Sequence, residues 1–525
     1  MEHDADVIII GAGHNSLAAA LYLQKAGLSV LIIEQAKIAG GAAKTAEILE
    51  PGFKHDLFAS NIGLFMGSRI YNDFKEEFHQ NGFDIVVGDQ PFSSVFPDGK
   101  CVRVYTDGEK TLREFERHSH HDANAWSEMI SYFQKVAPHL FPILQLPMPS
   151  LKPFVHLWKM YRQCGSQELL ELIRVLLMSP RQFLDERFET DEVKALLSPW
   201  AFHLGLSPDC AGGATFSFLE SAVDHLNGLA LSKGGVGNMI NAMVRAIETR
   251  GGQFVLGQAV SEIVVKKGTA CGVKTADGVT YNAKKAVMAN VTPKQFIKLV
   301  SEKELPENFV VKSKNYRFGP GTLMIHFTLE HALEWEAAED LADSAYVHIA
   351  PYMSDIAATY SQVVEGYLPA SPLLVVAQQS RLDSARAPEG KHVLWVQVRA
   401  FPHRPRGDAL GEIKTGNWNE MKEPILNRII DKIGQFAPNI REIVRKAVVW
   451  TPQDLEDGNP NIVGGDMVGG SHHLDQNFFF RPFSGWSRYK TPVKQLYLTG
   501  ASTWPGGGLN ATSGHLAAMQ LLREN

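Results

Sequence analysis

A chain of 525 residues is long enough for two to four domains of roughly 100–200 residues each. Apolar residues make up 45% and charged residues 21%, a composition that fills large cores and excludes disorder as the main state. With 51 basic against 57 acidic side chains the net charge is −6, which excludes a broadly basic, phosphate-neutralising chain, so no nucleic-acid partner is expected.

Glu2, Asp4 and Asp6 stand where a secretory signal carries basic residues, and the apolar run Val7–Ile10 is too short for a signal core. No stretch approaches 18 uninterrupted apolar residues, so no membrane-spanning helix is expected and the cytosol is the expected location. Asp6–Ile10 reads as a strand buried on both faces. Gly11-Ala12-Gly13-His14-Asn15-Ser16 follows, then a helix carrying Leu17, Leu21 and Leu23, closed by Gly27. Ser29–Ile33 is a second buried strand, ended by Glu34 and Gln35.

Strand, glycine turn, helix, strand and acid in this register predict a βαβ dinucleotide-binding unit. Gly11 permits the tight turn. Gly13 lets a pyrophosphate approach the backbone at the helix N-terminus, where N–H groups and the helix dipole favour an anion. Glu34 can accept from both ribose hydroxyls, and its charge would repel a 2′-phosphate. Ser16 replaces the usual third small residue. Ala39-Gly40-Gly41-Ala42-Ala43 then offers a second close backbone approach along the same diphosphate, toward a flavin. A nicotinamide-binding fold does not require that second approach.

Cys101, Cys164, Cys210 and Cys271 are scattered, so neither a CxxC redox pair nor a zinc cluster is expected, and no metal. Residues 100–225 read as mainly helical. Within them, residues 136–162 are apolar, broken by prolines and edged by Lys152, Lys159 and Arg162. Three readings stand for this run: a membrane-contacting segment, a lid over an apolar tunnel, or core helices joined by loops. Gly234-Gly235 opens a helix with Ile240, Met243, Val244 and Ile247. Short strands follow at Gln253–Leu256, Val260–Lys266, Ala270–Thr275, Val279–Ala283 and Lys285–Ala289, with a hairpin at Asp277-Gly278. Strands are expected at Thr322–Leu329, Leu373–Gln378 and Val393–Val398. Residues 418–446 read as an amphipathic helix with a stop at Gly434. Gln495–Thr499 is a strand, and Gly500 to Ala511, rich in glycine, leads into a helix from about Thr512. Those glycines clear space for a flat ligand, and the helix start points its positive end at a flavin carbonyl.

The chain resembles the phytoene desaturase-like flavoproteins of the glutathione-reductase structural superfamily. Within them it is similar to the branch of carotenoid ketolases and the pyridine nucleotide-disulfide oxidoreductase domain-containing protein 2 group. The resemblance is carried by residues 8–27, 38–56, 233–239, 474–500 and 504–518. It implies an α/β fold: a discontinuous glutathione-reductase-type FAD-binding Rossmann domain (1–99, 226–295 and 480–525) with a second, mixed α+β substrate domain (100–225 and 296–479).

It further implies non-covalent FAD. Gly11, Ala12, Gly13, His14, Asn15 and Ser16 take the pyrophosphate loop, Glu34 and Gln35 the ribose, and Gly40, Gly41 and Ala42 the next diphosphate contact. Val260 meets adenine, while Gly500, Ala501, Gly508, Leu509 and Asn510 lie near the flavin. Phe58-Ala59-Ser60-Asn61 replaces the glycines that relatives often carry beside the flavin ring, which makes Ser60 a candidate contact. The implied reaction is hydride transfer between a substrate C–H and flavin N5, with an apolar isoprenoid- or polyene-like substrate and O₂, a quinone or NAD(P) as electron acceptor. An amine oxidase and a non-catalytic binder resembling GDP-dissociation inhibitors are the alternatives. No catalytic residue stands out. His472 and His473 read first as a polar loop, and Trp504 as either a pocket wall or a partner of Pro505.

Overall fold

The structure is a computed structural model that describes residues 4–524. Its first sheet is built on β1 (Ala5–Ile10), α1 (His14–Lys25) and β2 (Val30–Glu34). β1 lies between β2 and the Thr280–Ala289 strand, parallel to both, with Ile10 opposite Ile33 and Ala289. The Leu496–Leu498 strand extends the parallel set on one side and Gln253–Leu256 on the other. Alternate residues of a strand face opposite ways, which explains the unbroken apolar run of β1. Val7 and Ile9 enter a core with α1, the Val236–Thr249 helix and the Thr512–Leu522 helix. Ile8 and Ile10 enter a separate core with Ile263, Phe296 and Phe309.

The two strands expected at 279–289 are one strand, Thr280–Ala289. Its first half pairs antiparallel with Thr269–Thr275, and its second half pairs parallel with β1. A change of partner, not a break in the chain, separates the two apolar stretches.

The second sheet runs in the order Val444–Trp450, Gly321–Leu329, His392–Phe401, Leu373–Ala377, Tyr346–Ile349, Phe92–Val95, Cys101–Val104. The helix expected in 418–446 spans Trp418–Gly434, ending at the expected stop, and Val444 already begins a strand. Met421, Ile425, Ile429 and Ile433 pack it on Leu323, Ile325, Leu394 and Val396. The other sheet face carries Met324, Tyr346 and Trp395 toward the helices that supply Trp126, Phe133 and Phe218.

Two of the expected divisions move. A boundary after residue 99 cuts the hairpin of Phe92–Val95 with Cys101–Val104, and both strands belong to the second sheet. Residues 296–310, assigned above to the substrate part, instead place Phe296, Val300, Leu305 and Phe309 on the first sheet.

The 136–162 run also divides. Its start completes the His120–Leu144 helix, where Val136, Leu140 and Ile143 are buried. Its end forms the Lys152–Cys164 helix, which buries only Pro153 and Met160. Leu151, Phe154, Val155, Trp158 and Tyr161 are exposed, Leu151 by 82% and Trp158 by 61%. On the following Ser166–Leu177 helix Leu170, Ile173 and Leu177 are exposed as well. Both helices therefore turn an apolar stripe outward. Among the described residues, no helix is long and apolar enough to cross a membrane.

Candidate cofactor and substrate site

A cavity of about 360 Å³ opens at the C-terminal ends of β1 and β2. Gly11, Gly13, His14 and Asn15 form one side, with Glu34 and Gln35 at the end of β2. Gly41, Ala42, Val260 and Ala501 complete the set of expected residues in its wall. Gly13 begins α1 and no side chain caps it, so the N–H groups of the first turn are left for a ligand. Glu34 Oε2 accepts from Ala12 N at 2.7 Å and Oε1 from Ala36 N at 2.8 Å. The carboxylate thus shapes the turn as well as facing the cavity.

Other expected residues stand behind the wall. Gly40 N donates to Ala12 O at 2.9 Å, and a Cβ on Gly40 would meet Ala43 O at 2.4 Å. A Cβ on Gly41 would lie 3.3 Å from Gly13 Cα, so the two glycine segments meet backbone to backbone. Burial holds the His14 imidazole down to about 4, against a backbone hydrogen bond to Gly508 that pulls the other way.

Asn290, at the end of the Thr280–Ala289 strand, organises this turn and was not singled out from the sequence. Its Nδ2 donates to Ser16 Oγ at 2.8 Å. A Cβ on Gly13 would lie 3.2 Å from that Nδ2, and a Cβ on Gly500 would lie 2.1 Å from Asn290 Oδ1. The signal for Asn290 was its place directly after a buried strand next to the glycine turn. Lys44 and Lys298 also line the cavity, as do Asp466 and Met467. Burial pushes the Lys44 ammonium below its usual range, while Glu34 raises it. Two lysines, an uncapped helix start and a buried carboxylate form a donor set that suits a diphosphate with a ribose beside it.

Side chains on the glycine-rich C-terminal segment would meet protein atoms. Cβ atoms on Gly506, Gly507 and Gly508 would meet His472 Cε1 at 2.6 Å, Val468 O at 2.6 Å and Leu64 Cδ1 at 2.8 Å. Protein atoms occupy the space that those glycines clear, and Gly508, Leu509 and Asn510 are not in the cavity wall. Two N–H groups at the start of the Thr512–Leu522 helix are already satisfied. Asn510 Oδ1 accepts from Thr512 N at 2.9 Å, and Asn15 Oδ1 accepts from Gly514 N at 3.2 Å.

Ser60 is likewise absent from the cavity wall. Its hydroxyl donates to Asp56 Oδ2 at 2.7 Å and accepts from Gln379 Nε2 at 2.9 Å, away from the cavity. Asp56 belongs to a sealed network in which Arg386 Nη1 donates to Asp56 at 2.7 Å and Nε to Asp383 at 3.0 Å. Val236 N and Gly234 N donate to the same two carboxylates, which ties three distant segments together.

His472 is buried, not part of a polar loop, and meets Phe216 edge-on at 6.1 Å. Asp475 pairs with Arg317. Trp504 is internal, with Nε1 donating to Leu146 O at 2.9 Å and its ring against Phe478.

The family model for flavin containing amine oxidoreductase matches residues 17–400. The mouse pyridine nucleotide-disulfide oxidoreductase domain-containing protein 2 is 27% identical, covering 100% of this chain and 94% of its own length. One chain of the limonene dehydrogenase of Castellaniella defragrans is 25% identical, covering 99% and 94%. A neurosporene-forming phytoene desaturase of Cereibacter sphaeroides is 24% identical, covering 99% and 95%. Among solved structures, an oxidoreductase from Methanosarcina mazei aligns with a TM-score of 0.60 at 18% identity, covering 98% and 99%.

Proposed function

This chain belongs to the flavin containing amine oxidoreductase family, and on that premise we propose that it dehydrogenates an apolar, isoprenoid-like compound at a flavin held in the cavity between β1, β2 and Ala501. It is an FAD-dependent oxidoreductase. The observation that carries the placement is the uncapped start of α1 beside Glu34 in a cavity with two lysines. In this reading the first turn of α1 receives the diphosphate, Glu34 accepts from the ribose, and Val260 lies against the adenine. When bound there, FAD supplies the redox chemistry, as the acceptor of a hydride from a substrate C–H. The protein orients both partners and keeps water out.

Two observations support an apolar substrate. The relatives include enzymes named for limonene and for phytoene. The outward apolar stripes at 151–161 and 170–177 lie beside Lys152, Lys159 and Arg162, the pattern of a surface that rests on an anionic lipid layer. We take that surface as the collecting point for substrate. The family's own description keeps an amine as the second reading.

The deciding experiment is anaerobic flavin bleaching across terpenoids, polyenes, fatty acyl compounds and amines. Bleaching by apolar compounds supports the proposal. Bleaching by amines alone replaces it with an amine oxidase, and a purified protein that binds no FAD rules out the assigned cavity.

A further inference from the structure

Arg399 lies on the His392–Phe401 strand, two residues on from Gln397 and four from Trp395, so all three share the sheet face turned toward the helices. Gln397 Nε2 reaches Met467 Sδ at 3.6 Å, and Met467 lines the cofactor cavity. Asp466, which also lines that cavity, is close enough to act on Arg399, so the guanidinium lies near the cavity wall. Its Nε is sealed from solvent and has no hydrogen-bond partner among the described residues, which also give the side chain no ion pair, although the residue as a whole keeps some accessible surface.

Among the described residues no carboxylate forms an ion pair with it, and Asp466 acts on it without contact. Asp466 is close enough to act on Arg399, but its Oδ2 accepts from Gly319 N at 2.7 Å and Gly470 N at 3.0 Å, and its Oδ1 from Val468 N at 2.8 Å. Asp224, reached past Tyr346, is pushed well up by burial and by Glu220, so it favours its neutral form. Burial also raises Tyr346, which stays a phenol. His203 and His348 face each other through Nε2 atoms at 3.1 Å, and burial and Arg399 both hold them neutral. Burial lowers Arg399 to about 10, which leaves it charged at neutral pH.

An unpaired charge in a protein interior is costly and persists where a ligand completes it. We infer that Arg399 receives an anionic group of the substrate, a carboxylate on an otherwise apolar skeleton, through the paired N–H groups of its guanidinium. This rests on the reading of the cavity as a redox site and deepens it: the substrate class becomes apolar acids rather than neutral hydrocarbons.

The test compares farnesoate with farnesol and dodecanoate with dodecanol, by calorimetric binding to the purified protein and by flavin bleaching. In the wild type the acids should bind about 10- to 100-fold more tightly than the alcohols. Arg399→Gln should remove that preference and leave alcohol binding and FAD content unchanged. Arg399→Lys should keep part of it. Without ligand, Arg399→Met should melt at the wild-type temperature or above, because it removes an unpaired buried charge.

Equal binding of acid and alcohol in the wild type, or no binding of either acid, overturns the inference. So does a large fall in melting temperature of Arg399→Met, which would reveal a protein counter-ion. A colourless wild type that still prefers acids would sink the redox reading alone.

Discussion

Asn290 Nδ2 donates to Ser16 Oγ at 2.8 Å, joining the end of a central strand to the first turn of α1. Ser16 departs from the small apolar residue usual at this point of a dinucleotide turn, and this bond gives its hydroxyl a use. The same asparagine fills the space that Gly13 and Gly500 leave open. Ser16→Ala and Asn290→Ala should each weaken FAD binding. The double variant should lose less than the sum, with a coupling of about 1 kcal/mol. A double-mutant cycle on FAD affinity checks this, and strict additivity would show that the bond does not shape the turn.

Gly13→Val would press a branched side chain against Asn290 Nδ2, which lies only 3.2 Å from a Cβ at that position. Soluble protein with little or no flavin is expected, read by absorbance after denaturation. Full occupancy would place the diphosphate elsewhere.

Glu34 accepts from the backbone on both sides of the acid, at Ala12 and Ala36. Glu34→Ala frees both donors, whereas Glu34→Gln keeps one acceptor. FAD affinity should therefore fall by about 10-fold or more in Glu34→Ala and by less in Glu34→Gln, since a bond to a charged acceptor contributes about 1.5–3 kcal/mol. Titration of the apoprotein with FAD provides the measurement.

Arg386 is fully buried between Asp56 and Asp383. Arg386→Leu would strand two carboxylates in the interior, a loss of about 3–5 kcal/mol. Low soluble yield or a clear drop in melting temperature is expected, far beyond the effect of Arg69→Leu at an exposed pair.

Burial holds His14, His55 and His515 down to about 4, and His326 and His348 to about 3. The unfolded chain binds protons at these sites below about pH 6.5, where the folded chain does not. Stability should therefore fall as pH drops from about 6.5 toward 4, by about 1.4 kcal/mol per pH unit for each histidine that stays neutral. Melting temperature against pH, with proton uptake measured by calorimetry in two buffers, reads it. A flat melting temperature across that window would show that these imidazoles are charged in the fold.

For the outward apolar stripes, the wild type should sediment with anionic phospholipid vesicles at low salt. Lys152→Glu with Lys159→Glu should weaken that binding by about 1 kcal/mol per charge that reaches the surface, and Trp158→Ala should weaken it too. FAD content should not change, because none of these three residues lines the cofactor cavity. If the protein stays in the supernatant but self-associates with concentration, the stripes cover a second copy instead.

What the sequence by itself determined was local. The strand, glycine turn, helix and acid of the first 34 residues were legible because alternation, a helix start and a strand end are written in consecutive residues. The family resemblance was carried by part of that unit and by further short segments at 38–56, 233–239, 474–500 and 504–518. The tertiary structure alone decided what each glycine makes room for. Gly500 yields to Asn290 and Gly506 to His472, partners 210 and 34 positions away in the numbering of the chain. It also decided that Ser60 belongs to a buried network, that two helices carry their apolar faces outward, and that the Nε of Arg399 has no partner among the described residues. These depend on which distant side chains the two sheets bring within a few ångströms, and sequence spacing carries no record of such distances.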